Sequence, residues 1–372
     1  MLKTALLWGA PSSLPSGEKY QISYERSGKN FGNILIGNGV VSVLDGYRFA
    51  SRSDFQAPEE VNEKCSHIII PAANFLWKSF DFGYMGDFLE RCTIPITMVG
   101  LGAQTNDRSR ISEIHPNTLR MVKLISERSP SIGVRGYYTA EVLAANGILN
   151  TEVLGCPSLY TKLAPPSATL KWQPEQINAL SVNFSRRVAG HAFEKDRLQA
   201  IENSLLKIAV ANQLTFVAQD ELEELSLSNE AVDENSIQAI KKYFSTLPGD
   251  DVVKYFKDHT QYFCNVDDWS SYIKNKSGSI GSRLHGNLIA LINGVPSLTI
   301  AHDSRTLEMC ALTGVPHVHI KDIEADIDIG NYLMDRLSSA DFLSFNKNMS
   351  ALFKRYDKFL RDHQLTNKLC AN

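Results

Sequence analysis

Residues 277–308, SGSIGSRLHGNLIALINGVPSLTIAHDSRTLE, contain the side chains best suited to chemistry. Two arginines, Arg283 and Arg305, and two histidines, His285 and His302, stand beside apolar runs there. Arginine forms bidentate hydrogen bonds to carboxylates and phosphates, and histidine changes protonation near neutral pH. The segment therefore predicts a site that binds a small anion and moves a proton. The alternative is that each histidine is structural, as a lone histidine beside apolar helix positions more often is.

Apolar residues in the same segment predict the elements that hold this site. Helical spacing is shown by four of them, Leu284, Leu288, Leu291 and Ile292. Gly294 stands where that helix would end, and residues 295–300 have the pattern of a buried strand. Arg283 and His285 then lie at a strand-to-helix junction, where an extended backbone turns residues two apart to the same side. On this pattern both side chains reach one ligand, whereas a regular helix would separate them.

Strand and helix patterns alternate along the whole chain. The first series has strand patterns at residues 4–8, 67–71, 94–101, 132–135 and 152–154. A proline-rich stretch at 165–174 then precedes a second series, with strand patterns at 179–184, 214–218, 263–266 and 295–300. Such alternation predicts parallel βαβ units that bind ligands at the carboxyl ends of their strands. We therefore expect an α/β protein of two Rossmann-like domains with parallel sheets, facing each other across a cleft.

The predicted domains are residues 1–165, residues 175–340 and a helical segment at 341–372 that packs on them. Residues 11–29 have the composition of a loop, and the glycines that follow it, Gly32, Gly37 and Gly39, either bring backbone amides near a ligand or allow close packing. In the last segment basic residues alternate with apolar ones. This pattern favours a helix packed on its own protein, with peripheral contact to an anionic membrane as the alternative.

Composition excludes several classes of function. Of the 372 residues, 43% are hydrophobic and 21% charged, as in soluble globular proteins. The net charge of −3 gives no general positive field for nucleic acid, so an anion site must be a local cluster. The six cysteines form no CxxC pair and are expected to be reduced thiols, and no ligand cluster has the spacing of a metal site. No run approaches the ~18 apolar residues of a membrane span.

Five motifs stand in order along the chain. They are residues 30–33 in the glycine loop, VGLGAQ at 99–104, IGVRGYYTAEVL at 132–143, VLGCPSL at 153–159 and GSRLHGNLIALINGVPSL at 281–298. Together they resemble the motifs of the polysaccharide pyruvyl transferase family. The paired VR and RLH motifs are the most specific, and the set spans most of the chain. Two departures are Cys156, where relatives commonly carry aspartate, and HDSR at 302–305, where others have a lysine-containing version.

The resemblance implies a GT-B-like architecture and transfer of pyruvate from phosphoenolpyruvate to a sugar, commonly as a cyclic ketal with release of phosphate. Phosphoenolpyruvate is then a co-substrate, and no cofactor is expected. Arg135, Arg283 and His285 match family positions associated with phosphoenolpyruvate binding and catalysis. The acceptor is a sugar of a polysaccharide or its precursor, which is lipid-linked in one version of this hypothesis. The expected location is the cytoplasm, at the inner face of the membrane for a lipid-linked acceptor.

Candidate site residues follow from these motifs and from the chemistry of the donor. The expected phosphoenolpyruvate contacts are Arg135, Arg283, Leu284, His285 and Arg305. His285 is expected to protonate the methylene carbon, and Asp303 and Asp107 are candidate bases, although aspartates in loops commonly cap helices or turns. The expected sugar contacts are Asn33, Asn74 and Gln104, with turn formation as the alternative for both asparagines.

Two other functions remain open at this point. A nucleotide-sugar glycosyltransferase of the same architecture would use Arg305 and Glu308 to bind diphosphate and ribose. A non-catalytic sugar-binding or assembly protein could have the same fold, because a fold alone does not determine function. Intact Arg135, Arg283 and His285 argue against the second of these.

Overall fold

The chain folds into two compact units, seen in a computed structural model that describes residues 2–104, 113–167, 171–229, 232–324 and 327–369. The first unit comprises Met1–Ser12, Leu35–Pro165 and Asn348–Asn372. The second comprises Ser13–Ile34 and Pro166–Lys347. Each unit is therefore assembled from segments that are distant in sequence.

A parallel sheet forms the centre of the first unit. Its strands are β1 (Lys3–Leu7), β2 (Tyr47–Ser51), β3 (His67–Pro71), β4 (Ile96–Leu101), β5 (Ile132–Val134) and β6 (Thr151–Val153). Within the described residues this sheet has six strands in the order β2-β1-β3-β4-β5-β6, and each paired strand is parallel to its neighbour. Every residue of β3 and β4 is buried, because both faces of a parallel sheet are covered.

The second unit is built around another parallel sheet. Its strands are β7 (Leu180–Asn183), β8 (Thr215–Val217), β9 (Thr260–Gln261), β10 (Gly278–Gly281), β11 (Ser297–Ala301) and β12 (His317–His319). The order across the six described strands is β12-β11-β10-β7-β8-β9. Two parallel sheets confirm the predicted α/β fold class with two Rossmann-like domains.

Fifteen α-helices are found in the described part of the chain. From the amino terminus to residue 145 they are α1 (Tyr20–Arg26), α2 (Asn33–Val41), α3 (Pro58–Lys64), α4 (Gly83–Glu90), α5 (Pro116–Arg128) and α6 (Tyr137–Ala145). The others are α7 (Lys195–Ala211), α8 (Leu222–Ser228), α9 (Glu234–Tyr243), α10 (Gly249–His259), α11 (Val266–Lys274), α12 (Leu284–Ile292), α13 (Ser304–Thr313), α14 (Ile329–Ser338) and α15 (Leu343–Asp362).

The amino-terminal segment Ser13–Ile34 differs from its prediction in two ways. It belongs to the second unit although it lies within the predicted first domain, and it contains α1 where a loop was expected. Tertiary contacts explain both differences. The Tyr24 hydroxyl donates to the carbonyl of Asp220, the Phe31 amide donates to the carbonyl of Gln219, and the Phe31 ring lies 4.7 Å from that of Tyr262.

The strand predicted at 263–266 is wrong. The observed strand is β9, and Asn265 instead caps α11 by accepting a hydrogen bond from the Asp268 amide at 2.8 Å. An asparagine cap satisfies an amide that the first turn of a helix leaves unpaired, so it sets the start of the helix. The Phe263 ring stacks on Trp269 at 5.5 Å and holds the segment on the helix.

Helix α15 packs on the first unit through its apolar face, as the favoured interpretation of its sequence predicts. Tyr356 stacks on Tyr160 with ring centroids 4.1 Å apart, and Phe353 and Phe359 are also buried. The apolar face of α15, which would have to contact a bilayer, is thus covered by protein. Among the helices of the described chain, none is both long and apolar enough to cross a membrane.

Two buried histidines and a threonine connect α15 to the sheet of the first unit. The Thr97 hydroxyl lies 2.7 Å from His67 Nε2 and 2.9 Å from His363 Nδ1. Because a threonine hydroxyl has one hydrogen, one ring accepts from Thr97 and the other donates to it. Burial lowers the pKa of both histidines from the usual 6.5 to about 4, and for His67 the neighbouring His363 lowers it further.

We expect the free energy of unfolding to decrease as pH falls from 6.5 to 4. In this window the unfolded chain binds protons at these histidines and the folded chain does not. Their full contribution to the free energy of unfolding is therefore present above the unfolded pKa and is lost as pH falls toward the folded pKa. His363→Gln should remove part of this loss, on the order of 2 kcal/mol. Urea unfolding at several pH values measures it, with His317→Asn as the control; equal pH slopes for His363→Gln and wild type would contradict the prediction.

Candidate active site

The sheet of the second unit has its topological switch point between β7 and β10. From β7 the chain proceeds outward through β8 to β9, then returns to β10 and proceeds the other way through β11 to β12. The connections that leave β7 and β10 therefore run in opposite directions. Between two such connections a crevice forms at the carboxyl ends of the strands, and this is where α/β sheets bind ligands. Arg283 follows β10 by two residues and is the N-cap of α12, and His285 lies in the first turn of that helix.

Asn183 at the end of β7 fixes the backbone of this junction. Its Oδ1 accepts from the Arg283 amide at 3.1 Å, and its Nδ2 donates to Ser279 Oγ and Asn287 Oδ1, both at 3.0 Å. Gly281 has φ of +157°, and a Cβ atom there would lie 1.5 Å from the Asn183 carbonyl oxygen. Only glycine allows this close approach of β7 and β10.

Arg283 is buried beside two carboxyl groups that follow β8. Its Nη2 lies 3.0 Å from Asp220 Oδ2, and its Nε lies 3.5 Å from Glu221 Oε1. Burial opposes ionisation of Asp220, but the guanidinium and the surrounding hydrogen bonds outweigh it and hold the pKa of Asp220 below its usual range. Burial, and then the charge of Asp220, raise the pKa of Glu221 well above its usual range. The two shifts therefore favour an ionised Asp220 paired with Arg283 beside a protonated Glu221.

A second buried acid supports the same junction. Glu202 accepts hydrogen bonds from Ser282 Oγ at 2.7 Å, the Ser185 amide at 3.1 Å and the Tyr243 hydroxyl at 2.7 Å. Burial raises the pKa of Glu202 above its usual value. Ser282 stands between β10 and Arg283, so this network fixes the path of the backbone that presents the arginine.

His285 is nine-tenths buried and faces the amino-terminal segment of the same unit. A Cβ atom added to Gly32 would lie 2.6 Å from His285 Nδ1 and 2.6 Å from Gln219 Oε1. Gly37 and Gly39, by contrast, pack against the backbone at Pro11 and Pro157. Of these three glycines, Gly32 is thus the one next to His285, whereas Gly37 and Gly39 lie within α2.

Asp303 and Arg305 lie at the carboxyl end of the adjacent strand, β11. Asp303 is fully buried and caps α13 by accepting from the Thr306 amide at 2.7 Å, and its Oδ2 lies 3.3 Å from Arg305 Nη2. Full burial in a cap favours the structural role of Asp303 over that of a base. Leu284 is buried in α12 and Glu308 in α13, while Arg305 keeps 20% of its side chain exposed.

Arg135 lies in the first unit and links the carboxyl ends of neighbouring strands. Its Nε donates to the Gly100 carbonyl at 2.8 Å, and its Nη1 donates to Asn74 Oδ1 at 3.0 Å. The side chain is buried, so Arg135 is not a solvated charge at a strand end. Gln104 is also buried, just after β4. The structure thus brings Arg135 and Asn74 into direct contact.

The remaining predicted site residues are Asn33 and Asp107. Asn33 lies in the second unit and not in the domain predicted for it, and its Nδ2 donates to the Ser27 carbonyl at 2.9 Å, which favours a turn-forming role. Asp107 lies outside the described residues. Among the described side chains, no group of three or more His, Cys, Asp or Glu is arranged to hold a metal ion.

Sequence reasoning missed Asn183, Gln219, Asp220 and Glu221. The signal for three of them was present, because QDE at 219–221 directly follows a predicted strand, at the end where parallel sheets bind ligands. Asn183 had no comparable signal, since it ends a strand pattern and acts only through its contacts across the sheet.

Two Rossmann-type parallel sheets, the second with a buried arginine and a histidine at its switch point, define an α/β protein. A family model for polysaccharide pyruvyl transferase matches residues 21–304. The chain belongs to the polysaccharide pyruvyl transferase family.

Solved structures of similar fold are distant. The S. aureus MnaA–UDP co-structure has 10% identity and a TM-score of 0.44, covering 94% of this chain and 91% of that one. The Methanocaldococcus jannaschii UDP-GlcNAc 2-epimerase in complex with UDP-GlcNAc and UDP has 11% identity and a TM-score of 0.44, covering 96% and 100%. No curated protein matches the sequence. Such distant similarity transfers neither substrate nor reaction.

We expect Asp220→Asn and Glu221→Gln to differ in stability at neutral pH. Glutamine resembles a protonated glutamate in shape and charge, so the free energy of unfolding of Glu221→Gln should stay close to that of the wild type. Asparagine at 220 leaves the buried Arg283 without its ionised partner and should lower stability by about 3 kcal/mol or more. Urea unfolding at pH 7 measures both; a larger loss for Glu221→Gln than for Asp220→Asn would refute the assigned charges.

Proposed function

We propose that this protein transfers pyruvate from phosphoenolpyruvate to a sugar of a polysaccharide or its precursor, as a ketal and with release of phosphate. The observation that carries the proposal is the placement of Arg283 and His285 at the switch point of a Rossmann-type sheet, in a chain of the pyruvyl transferase family. An arginine and a titratable side chain are what an anionic enol phosphate of this kind needs.

His285 is the proposed acid. The protonated imidazole donates its proton to the methylene carbon of phosphoenolpyruvate, which becomes a methyl group as the double-bond electrons form the new C–H bond. The adjacent carbon gains cationic character and is attacked by one sugar hydroxyl, whose proton is taken up by a base. The neutral imidazole of His285 is suited to accept that proton in turn.

Loss of phosphate completes the transfer. The C–O bond to phosphate breaks with its electron pair on the leaving oxygen, and the resulting cation is captured by a second hydroxyl of the sugar. Release of that hydroxyl's proton closes the ketal. Two C–O bonds form for each phosphate released, and no oxidant or reductant is consumed.

The charge state of the Arg283 cluster supports binding of a donor with two anionic groups. With Asp220 ionised and Glu221 protonated, Arg283 is opposed by one carboxylate and not by two. A second ionised acid would repel the phosphate and carboxylate of the donor, since like charges in a buried site interact strongly. Arg305, partly exposed at the end of the next strand, is the second proposed cation of this site.

Contacts to the acceptor are proposed for the first unit. Asn74 and Gln104 follow the carboxyl ends of β3 and β4, and Arg135 holds Asn74 in place through its guanidinium. The proposed setting is the cytoplasm, at the inner face of the membrane where the acceptor is lipid-linked.

One assay tests the function directly. The purified protein is incubated with phosphoenolpyruvate and a panel of glycans, and phosphate release and glycan mass are measured together. A pyruvyl transferase releases phosphate only with an acceptor, whose mass rises accordingly. Absence of phosphate with every acceptor, together with saturable binding of a UDP-sugar, would replace the proposal by the glycosyltransferase alternative.

We expect His285→Gln to lower turnover by about three orders of magnitude or more, because glutamine cannot donate the proton. The dissociation constant for phosphoenolpyruvate should change by less than about threefold, since glutamine keeps hydrogen-bonding capacity at that position. Steady-state phosphate release and calorimetric titration measure the two quantities, and His317→Asn serves as a control. Turnover at the wild-type rate in His285→Gln would rule out the acid role.

A further inference from the structure

Gln219 has a buried amide group whose nitrogen is unsatisfied. The side chain is 1% exposed, and Nε2 has no hydrogen-bond partner among the described residues. Leaving such a donor buried and unpaired is destabilising, so native proteins rarely do it without a reason. The backbone of Gln219 is fully used, with its amide donating to Glu221 Oε2 and its carbonyl accepting from Phe31.

The unsatisfied amide lies next to the proposed acid. Gln219 Oε1 and His285 Nδ1 are each 2.6 Å from the point where a Cβ of Gly32 would be, so the two atoms are separated by no more than twice that distance. All three residues belong to the second unit. Gly32 thus packs closely against both the side-chain amide of Gln219 and the imidazole of His285, and no side chain fits there.

Gln219 also adjoins the charged part of the site. Asp220 and Glu221, its immediate neighbours in sequence, are the two acids beside Arg283. An uncharged donor on this loop can bind an anionic oxygen without adding to the positive charge that Asp220 already balances. The amide therefore supplies a hydrogen-bond donor to an oxyanion, which the ionised carboxylate of Asp220 cannot provide.

We propose that Gln219 is a substrate-binding residue whose Nε2 donates a hydrogen bond to an anionic oxygen of phosphoenolpyruvate, and that Gly32 has no side chain because one would displace this amide and His285. The inference rests on the proposed function. In the empty protein the amide is unpaired and destabilising, and the bound donor satisfies it.

The test combines donor affinity with fold stability in Gln219→Leu. Removing an unsatisfied buried amide should leave the melting temperature of the empty protein unchanged or raise it. Loss of a hydrogen bond to an anion should raise the dissociation constant for phosphoenolpyruvate about tenfold or more. Calorimetric titration with phosphoenolpyruvate and thermal unfolding without it provide the two readouts.

Gln199→Leu is the matched control. Gln199 lies in the same unit and its Nε2 donates to the Tyr243 carbonyl at 2.8 Å, so its replacement should lower the melting temperature and leave donor affinity unchanged. Gly32→Ala should weaken donor binding, whereas Gly190→Ala, where an added Cβ meets nothing within 4 Å, should not.

Each result has a distinct meaning. Weaker donor binding by Gln219→Leu without loss of stability supports the role. Wild-type affinity in Gln219→Leu overturns it while leaving the proposed function intact. If wild-type protein binds no phosphoenolpyruvate, both the proposed function and this role are wrong.

Discussion

The buried positive charge of Arg283 is the constraint on which the second unit depends. A guanidinium removed from water must be paired, and this one is paired with Asp220 across the sheet, beside a Glu221 whose pKa is raised by burial. The loop after β8 and the junction after β10 are therefore held to each other by charge. Around them, Asn183 and Glu202 satisfy the backbone and hydroxyl groups that the sharp turn exposes.

Arg283 was expected to contact the anionic donor, and in the structure its guanidinium is already paired with a carboxylate, that of Asp220. The raised pKa of Glu221 favours the state in which Arg283 faces one carboxylate and not two. Beside this ion pair, the side-chain amide of Gln219 is a hydrogen-bond donor that carries no charge. Affinity for a small anion in such a site depends on the arrangement of a few hydrogen bonds more than on total charge.

Several roles predicted for single residues are structural in the folded chain. Asp303 caps a helix, Asn33 holds a turn, and Gly37 and Gly39 permit close backbone packing. Arg135 differs from these because it is buried and links strand ends, while its contact with Asn74 unites two predicted site residues. Residues at the carboxyl ends of strands thus divide into those that shape the site and those available to a ligand.

The sequence by itself determined the elements with strong periodicity and the position of the RLH junction. The predicted bounds of β3, residues 67–71, match the observed ones, because a buried β-rich run carries a local signal. Only the tertiary structure decided that Ser13–Ile34 belongs to the second unit, that Asp220 and Glu221 flank Arg283, and that Gln219 lies beside His285. Strand order and burial create these contacts between residues some 60 to 250 positions apart, and no local pattern encodes which strand ends meet or which charge is left to be neutralised.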